Sequence, residues 1–454
     1  MKLYSTNDPT LRVDFADAVF QAMPADRGLY MPVEIPVLGE AFWRELPGKT
    51  LPEIGSAIAG ALIGAAMTTG EVERIVGEAI DFPAPLVPLR EAVGSVADGP
   101  PPLSVLELFH GPTMAFKDFG ARFMAGVMST LAARRGGRLT ILVATSGDTG
   151  GAVASGFHGS ENIDVVILYP RNGVSDIQEA QLTTLGGNVR ALRVDGTFDD
   201  CQALVKRAFV DDDLRGRVRL SSANSINILR LIPQSFYYVE AYRQWLAEGH
   251  ERAPVFSVPS GNFGNLTAGL LAERMGLPVR RFVAATNAND TVPRYVASGR
   301  YEPRASVKTI SNAMDVGAPS NFTRMTDLFG STWNTLRARI VSYAFDDAAT
   351  ELEMASVYTA TARASGRDGY VLDPHTAVGT LALRRYQREV EDAPGIVLAT
   401  AHAGKFRPDV ERVLGRAIPL PERLEAVRML PRTVSDVPND YAALRELIVA
   451  HAAA

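Results

Sequence analysis

The chain has 454 residues, 46% of them hydrophobic and 21% charged, which is globular composition with enough apolar material for sizeable cores. Its 46 basic and 51 acidic residues give a net charge of −5, and no basic block is present, which argues against a nucleic-acid partner. One cysteine, Cys201, allows no intrachain disulfide and fits a reducing, cytoplasmic setting.

The N-terminus, MKLYSTNDPTLRVDF, has no apolar signal core. Residues 1–95 mix helical patterns with proline-rich joints, ending in DFPAPLVPL (81–89), which reads as a connector. The apolar stretch IGSAIAGALIGAAM (54–67) is shorter than the roughly 20 residues a membrane span needs, so a packed soluble helix is expected.

From about residue 103 short apolar runs alternate with helical stretches. TILVAT (140–145), DVVILY (164–169) and NVRALRV (188–194) form one series; PVFSVPS (254–260), RRFVAATN (280–287) and GIVLATAH (395–402) form a second. Their rhythm is that of strand–helix–strand units with strands buried on both faces. The expected fold is therefore α/β: two open domains with mostly parallel sheets (96–235 and 236–420), a cleft between them, an N-terminal region (1–95) and a helical C-terminal tail (421–454). Asp211–Asp213 reads as a solvated loop or helix end and Cys201 as a helix core residue.

Two glycine-rich turns each follow a strand: Thr145-Ser146-Gly147-Asp148-Thr149-Gly150-Gly151 and Gly261-Asn262-Phe263-Gly264-Asn265. Each is either a plain strand-to-helix turn or an anion cup, in which glycines admit close backbone approach and a helix start supplies unpaired N–H donors. Neither matches GxGxxG or GxxxxGK[ST], so neither nucleotide reading has its motif. A pair of cups suggests two anionic groups, one on a small cofactor and one on a substrate.

Lys117 lies in ELFHGPTMAFKDFG (107–120), before a helical stripe of Phe119, Phe123, Val127 and Leu131. It is either a lysine paired with Asp118 or Glu107, or a nucleophile whose pKa is lowered by a helix start and apolar neighbours. A neutral amine condenses with an aldehyde, and the phosphate-bearing aldehyde cofactor is pyridoxal 5'-phosphate. His110 and His375 read as hydrogen-bonded structural histidines. No Cys or His cluster has metal-ligand spacing.

ELFHGPTMAFKDFG, ATSGDTGGAVA, SANSINILR, VPSGNFGNLTAGLLA, ATNANDTVPR and ATAHAGKF occur in that order over residues 107–406. This set resembles the threonine synthase family, pyridoxal-phosphate enzymes of the tryptophan-synthase-β fold type (fold type II). The opening LYSTND…VDFADAV…DRGLYMP resembles the bacterial and fungal form. The resemblance implies conversion of O-phospho-L-homoserine and water to L-threonine and phosphate. It makes Lys117 the Schiff-base lysine and proton shuttle, Gly261, Asn262, Phe263, Gly264 and Asn265 the cofactor-phosphate cup, and Thr400 the hydroxyl facing the pyridine nitrogen. Thr145, Ser146 and Thr149 become the clamp on the substrate carboxylate, and Asn224, Ser225 and Arg230 the substrate-phosphate pocket.

Two positions depart from the family pattern. Asp148 stands where an amide is expected beside the cofactor's phenolic oxygen, so it is protonated, turned away or otherwise employed. ATAHAGKF replaces an expected His-Pro-Ala-Lys, which leaves His402 and Lys405 without a firm role. The competing functions are another fold-type II lyase, such as a dehydratase or phospho-lyase, and a non-catalytic relative that binds the cofactor. A monomer is favoured over a homodimer.

Overall fold

The computed structural model describes residues 1–91, 101 and 103–452. The expected boundary near residue 95 lies outside them. Three strands form an N-terminal antiparallel sheet in the order β2–β1–β3: β1 (Lys2–Ser5), β2 (Arg12–Asp14) and β3 (Tyr30–Pro32). The stretch considered against a membrane span supplies most of the helix Leu51–Ile63, whose start is a capping box. Thr50 Oγ1 accepts from the Glu53 amide at 3.4 Å and the Glu53 carboxylate accepts from the Thr50 amide at 2.7 Å. Its small residues serve packing: a Cβ on Gly55 would lie 2.8 Å from the Phe236 ring.

The larger sheet has the order β12–β11–β10–β13–β5–β4, built from β4 (Leu86–Pro88), β5 (Leu103–Glu107), β10 (Val255–Pro259), β11 (Arg281–Thr286), β12 (Ile340–Ala344) and β13 (Gly395–Ala399). All neighbours run parallel except β4, which pairs antiparallel to β5. The smaller sheet, all parallel, is β14–β8–β7–β6–β9, from β6 (Leu139–Ala144), β7 (Ile163–Pro170), β8 (Val189–Asp195), β9 (Leu220–Ser221) and β14 (Ser435–Pro438). Every residue of β6, β7, β10 and β13 is buried, because helices cover both faces.

Three expectations change. The DFPAPLVPL connector contains the edge strand β4, where prolines are tolerated because one side of the strand needs no ladder donor. Strand β5, expected with the smaller domain, is inserted between β13 and β4 of the larger sheet. The C-terminal segment, expected as a helical tail, also carries a strand. Its β14 extends the smaller sheet, fastened by an Arg193–Asp436 fork at 2.7 and 3.0 Å. The helix Tyr441–Ala452 then buries Leu444 and Ile448 against Cys201, Leu204 and Val437.

The helix Lys117–Arg135 is the central element under the site. Its stripe Phe119, Phe123, Val127 and Leu131 is buried, and Phe119 and Phe123 meet Tyr237 and Phe236 edge-on at 5.1 and 5.7 Å. It crosses the helix Asp148–Phe157 closely, since a Cβ on Gly156 would lie 3.0 Å from the Ala121 backbone. No helix of the described residues is long and apolar enough to cross a membrane.

Candidate active site

The carboxyl ends of β6, β10 and β13 open onto one cleft between the sheets, the usual ligand position in open α/β folds. All fourteen candidate site residues line it: Lys117, Thr145, Ser146, Asp148, Thr149, Asn224, Ser225, Arg230, Gly261–Asn265 and Thr400. They come from segments far apart in the chain.

Lys117 is the first residue of its helix, with Nζ 5.5 Å from the Phe116 ring centroid. It has neither of the two partners considered for it. Asp118 accepts from the Thr113 amide at 2.9 Å and its hydroxyl at 2.6 Å, and Glu107 takes His110 at 2.7 Å and the Tyr370 hydroxyl at 2.8 Å. Burial lowers the Lys117 pKa from 10.5 to about 8, opposed by the Asp148 carboxylate and assisted by the cations Lys405 and Arg230.

Asp148 is otherwise employed, as the acceptor of a buried ion pair. Burial pushes its carboxyl upward, but the Lys405 and Lys117 charges, with hydrogen bonds from Lys405 and Gln178, hold it well below the usual carboxylate range. Its Oδ1 accepts from Lys405 Nζ at 2.8 Å and Gln178 Nε2 at 2.9 Å.

The turn after β6 is organised by Thr145, whose Oγ1 accepts from the Gly147 and Gly150 amides at 3.0 and 2.8 Å. Gly147 has φ +130°, and a Cβ there would lie 2.4 Å from Gln178 Cδ. Asn224 braces the end of β6 by donating to the Ala144 carbonyl at 2.8 Å. Arg230 is buried; its Nη1 donates to the Ala223 carbonyl at 2.6 Å, its Nε has no partner, and no acid pairs with it among the described residues. Burial draws its pKa from 12.5 down to about 10.

The turn after β10 passes through Phe263, in the left-handed region at φ +61°, into the helix Gly264–Arg274. A Cβ on Gly261 would lie 2.8 Å from both the Ala313 carbonyl oxygen and Met314 Cα. Asn265 accepts from the Tyr237 and Tyr238 hydroxyls at 2.7 and 2.9 Å, while its buried Nδ2 donor has no partner among the described residues. An unpaired buried donor, a helix start and a tightly seated glycine turn form an anion-holding set that suits the phosphate of pyridoxal phosphate. Lys117 suits its aldehyde, and Thr400, just past β13, lines the same cleft.

Two contributors, Gln234 and Arg324, were not singled out from sequence. Gln234 lines the cleft with an unpartnered buried Oε1; its spacing of four from Arg230, whose carbonyl it bonds at 2.7 Å, was the available signal. Arg324 carries no local signal, yet it is buried and donates to the Ser225 and Ile226 carbonyls at 2.9 and 2.7 Å, fixing the segment before Arg230. His375 lines the cleft as a structural histidine: Nδ1 meets Asp373 at 2.8 Å and Nε2 accepts from the Ala313 amide at 3.2 Å.

Three family models together match residues 2–448. One described as "Pyridoxal-phosphate dependent enzyme" matches residues 81–401, "Threonine synthase N terminus" matches 2–80, and "Threonine synthase, C-terminal" matches 376–448. A threonine synthase of Haemophilus influenzae is 46% identical over 451 residues, covering 99% of this chain and 100% of that one. The chain belongs to the threonine synthase family. The crystal structure of the Escherichia coli threonine synthase superposes with a TM-score of 0.89 at 43% identity, covering 99% of this chain and 100% of that one. The pyridoxal-phosphate-bound threonine synthase of Brucella melitensis gives 0.87 at 35% identity, covering 100% of both chains. As a threonine synthase, the protein is a pyridoxal-phosphate-dependent lyase of fold type II.

Proposed function

We propose that the substrate is O-phospho-L-homoserine, converted with water to L-threonine and phosphate. The observation carrying this reading is Arg230, a buried guanidinium without an acidic partner among the described residues, in the cleft that also holds Lys117 and the Gly261–Asn265 turn. One anion-holding set suits the cofactor's phosphate; the other suits a phosphate on the substrate. A dehydratase or acetylserine-type substrate would leave Arg230 unmatched.

Gly261–Asn265 would hold the cofactor phosphate, Lys117 its aldehyde carbon, and the Thr400 hydroxyl its ring nitrogen. Bound pyridoxal phosphate supplies an electron sink that acidifies carbon–hydrogen bonds near the substrate's amino group. Ser146, Thr149 and the free O–H of Thr145 would grip the carboxylate. Arg230 and Ser225 would grip the phosphate, with Asn224 bracing the strand end between the two grips. So anchored at both ends, the substrate presents its Cα and Cβ hydrogens to Lys117. Once displaced by the substrate amine, Lys117 Nζ takes the Cα proton and then a Cβ proton, and phosphate leaves from Cγ. Reprotonation at Cγ, addition of the hydroxyl of water at Cβ and return of a proton to Cα complete threonine.

The test adds O-phospho-L-homoserine to the holoenzyme and assays both products. Phosphate and threonine in equal amounts are expected, with Lys117→Ala inactive. Phosphate without threonine would replace this reading with a phospho-lyase.

A further inference from the structure

We propose that Lys405 is a positioning residue whose ammonium neutralises Asp148, keeping that carboxylate from pairing with Lys117 and holding it in the ammonium form. This inference rests on the reading of Lys117 as the cofactor-bearing lysine.

Asp148 and Lys405 are both buried and belong to different domains. Asp148 opens the helix after β6 of the smaller sheet; Lys405 lies in the turn Ala403–Phe406, after β13 of the larger sheet. Lys405 Nζ is fixed twice, at 2.8 Å to Asp148 Oδ1 and at 2.9 Å to the Thr113 carbonyl. Gln178 donates to the same Asp148 oxygen at 2.9 Å, and Ser175 Oγ donates to the Lys405 carbonyl at 3.0 Å. The pair is thus held from both sides of the domain boundary.

The charged groups acting on Lys117 are Asp148, Lys405 and Arg230. Asp118, on its own helix, is turned to Thr113. Asp148 therefore bonds Lys405 and lines the same cleft as Lys117, within range of both charges. Asp118 and His402 also feel the Lys405 charge, but neither bonds its Nζ among the described residues. Remove Lys405 and Lys117 becomes the remaining nearby counter-ion for a buried carboxylate, a pairing that would hold it protonated. Remove Asp148 and Lys405 becomes an unpaired cation that disfavours a second positive charge at Lys117.

The two single variants must therefore shift one titration in opposite directions. The readout is the pH midpoint of the holoenzyme's visible absorbance, which follows protonation at the nitrogen carried by Lys117. Lys405→Met should raise the midpoint by roughly one unit or more, and Asp148→Asn should lower it by a similar amount. The double variant Asp148→Asn/Lys405→Met should return it close to wild type, and Lys405→Arg should leave it in place. General loosening of the cleft would move both singles the same way; that result, or no shift in either, overturns the proposal. Should Lys405→Met fail to fold, Asp148→Asn and the double variant carry the test. If Lys117→Ala keeps the wild-type chromophore, it is the assignment of Lys117 that fails instead.

Discussion

Replacing Arg230 with methionine removes one charge and keeps most of the side chain's volume. The guanidinium has five donors. One is engaged on the Ala223 carbonyl, and Nε is packed against Gly120, where a Cβ would come within 2.6 Å of it. The remaining Nη donors can make two charge-assisted bonds to a phosphate, each worth about 1.5–3 kcal/mol. Their loss should weaken O-phospho-L-homoserine by at least about 3 kcal/mol, or roughly two orders of magnitude in KM. L-Homoserine, without the phosphate, should lose less than about threefold as a competitive inhibitor. Fold stability should fall only modestly: the desolvation penalty of a buried cation without an acidic partner among the described residues disappears, and this offsets the loss of the donor to the Ala223 carbonyl, about 1–3 kcal/mol. Steady-state kinetics with both ligands and a thermal melt provide the measurement. Equal weakening of the two ligands, or a large fall in Tm, would refute the assignment of Arg230 to the substrate phosphate.

A Lys117 pKa of about 8 leaves about one amine in ten neutral at pH 7, against roughly one in 3,000 at the ordinary value. Because the shift is downward, capture of pyridoxal phosphate by the cofactor-free chain should rise with pH and level off above about 8; a tenfold rise per unit continuing to pH 10 would contradict the burial argument. Gly147→Ala combines a left-handed φ of +130° with a 2.4 Å approach to Gln178, and should destabilise the fold by at least about 2 kcal/mol. An unchanged Tm would show that the turn can relax. Burial pushes the Cys201 thiol up to about 12, so native protein should resist iodoacetamide and label only when unfolded; stoichiometric labelling of the native enzyme would disprove that environment.

Much of this protein is written locally. Unpunctuated runs such as TILVAT and DVVILY predict strands buried on both faces, and β6 and β7 are buried throughout. The glycine turns at Gly147 and Gly261 are legible because close backbone approach demands that residue type. The four-residue stripe behind Lys117 is legible because a helix repeats at that spacing. Ordered motifs also point to the cofactor and reaction class, through their resemblance to the threonine synthase family.

What sequence alone leaves open is which distant segments meet. β5 follows the N-terminal region in the chain, yet it pairs with β13; β14 comes last, yet it completes the smaller sheet. The fate of Asp148 depended on Lys405 and Gln178 arriving from two other segments. The freedom of Lys117 depended on Asp118 and Glu107 being engaged elsewhere. Periodicity and turn chemistry act over a few residues, so they are readable in one dimension. Strand partners, counter-ions and the loss of water around a lysine are set by packing between remote segments, so only the tertiary structure decided them.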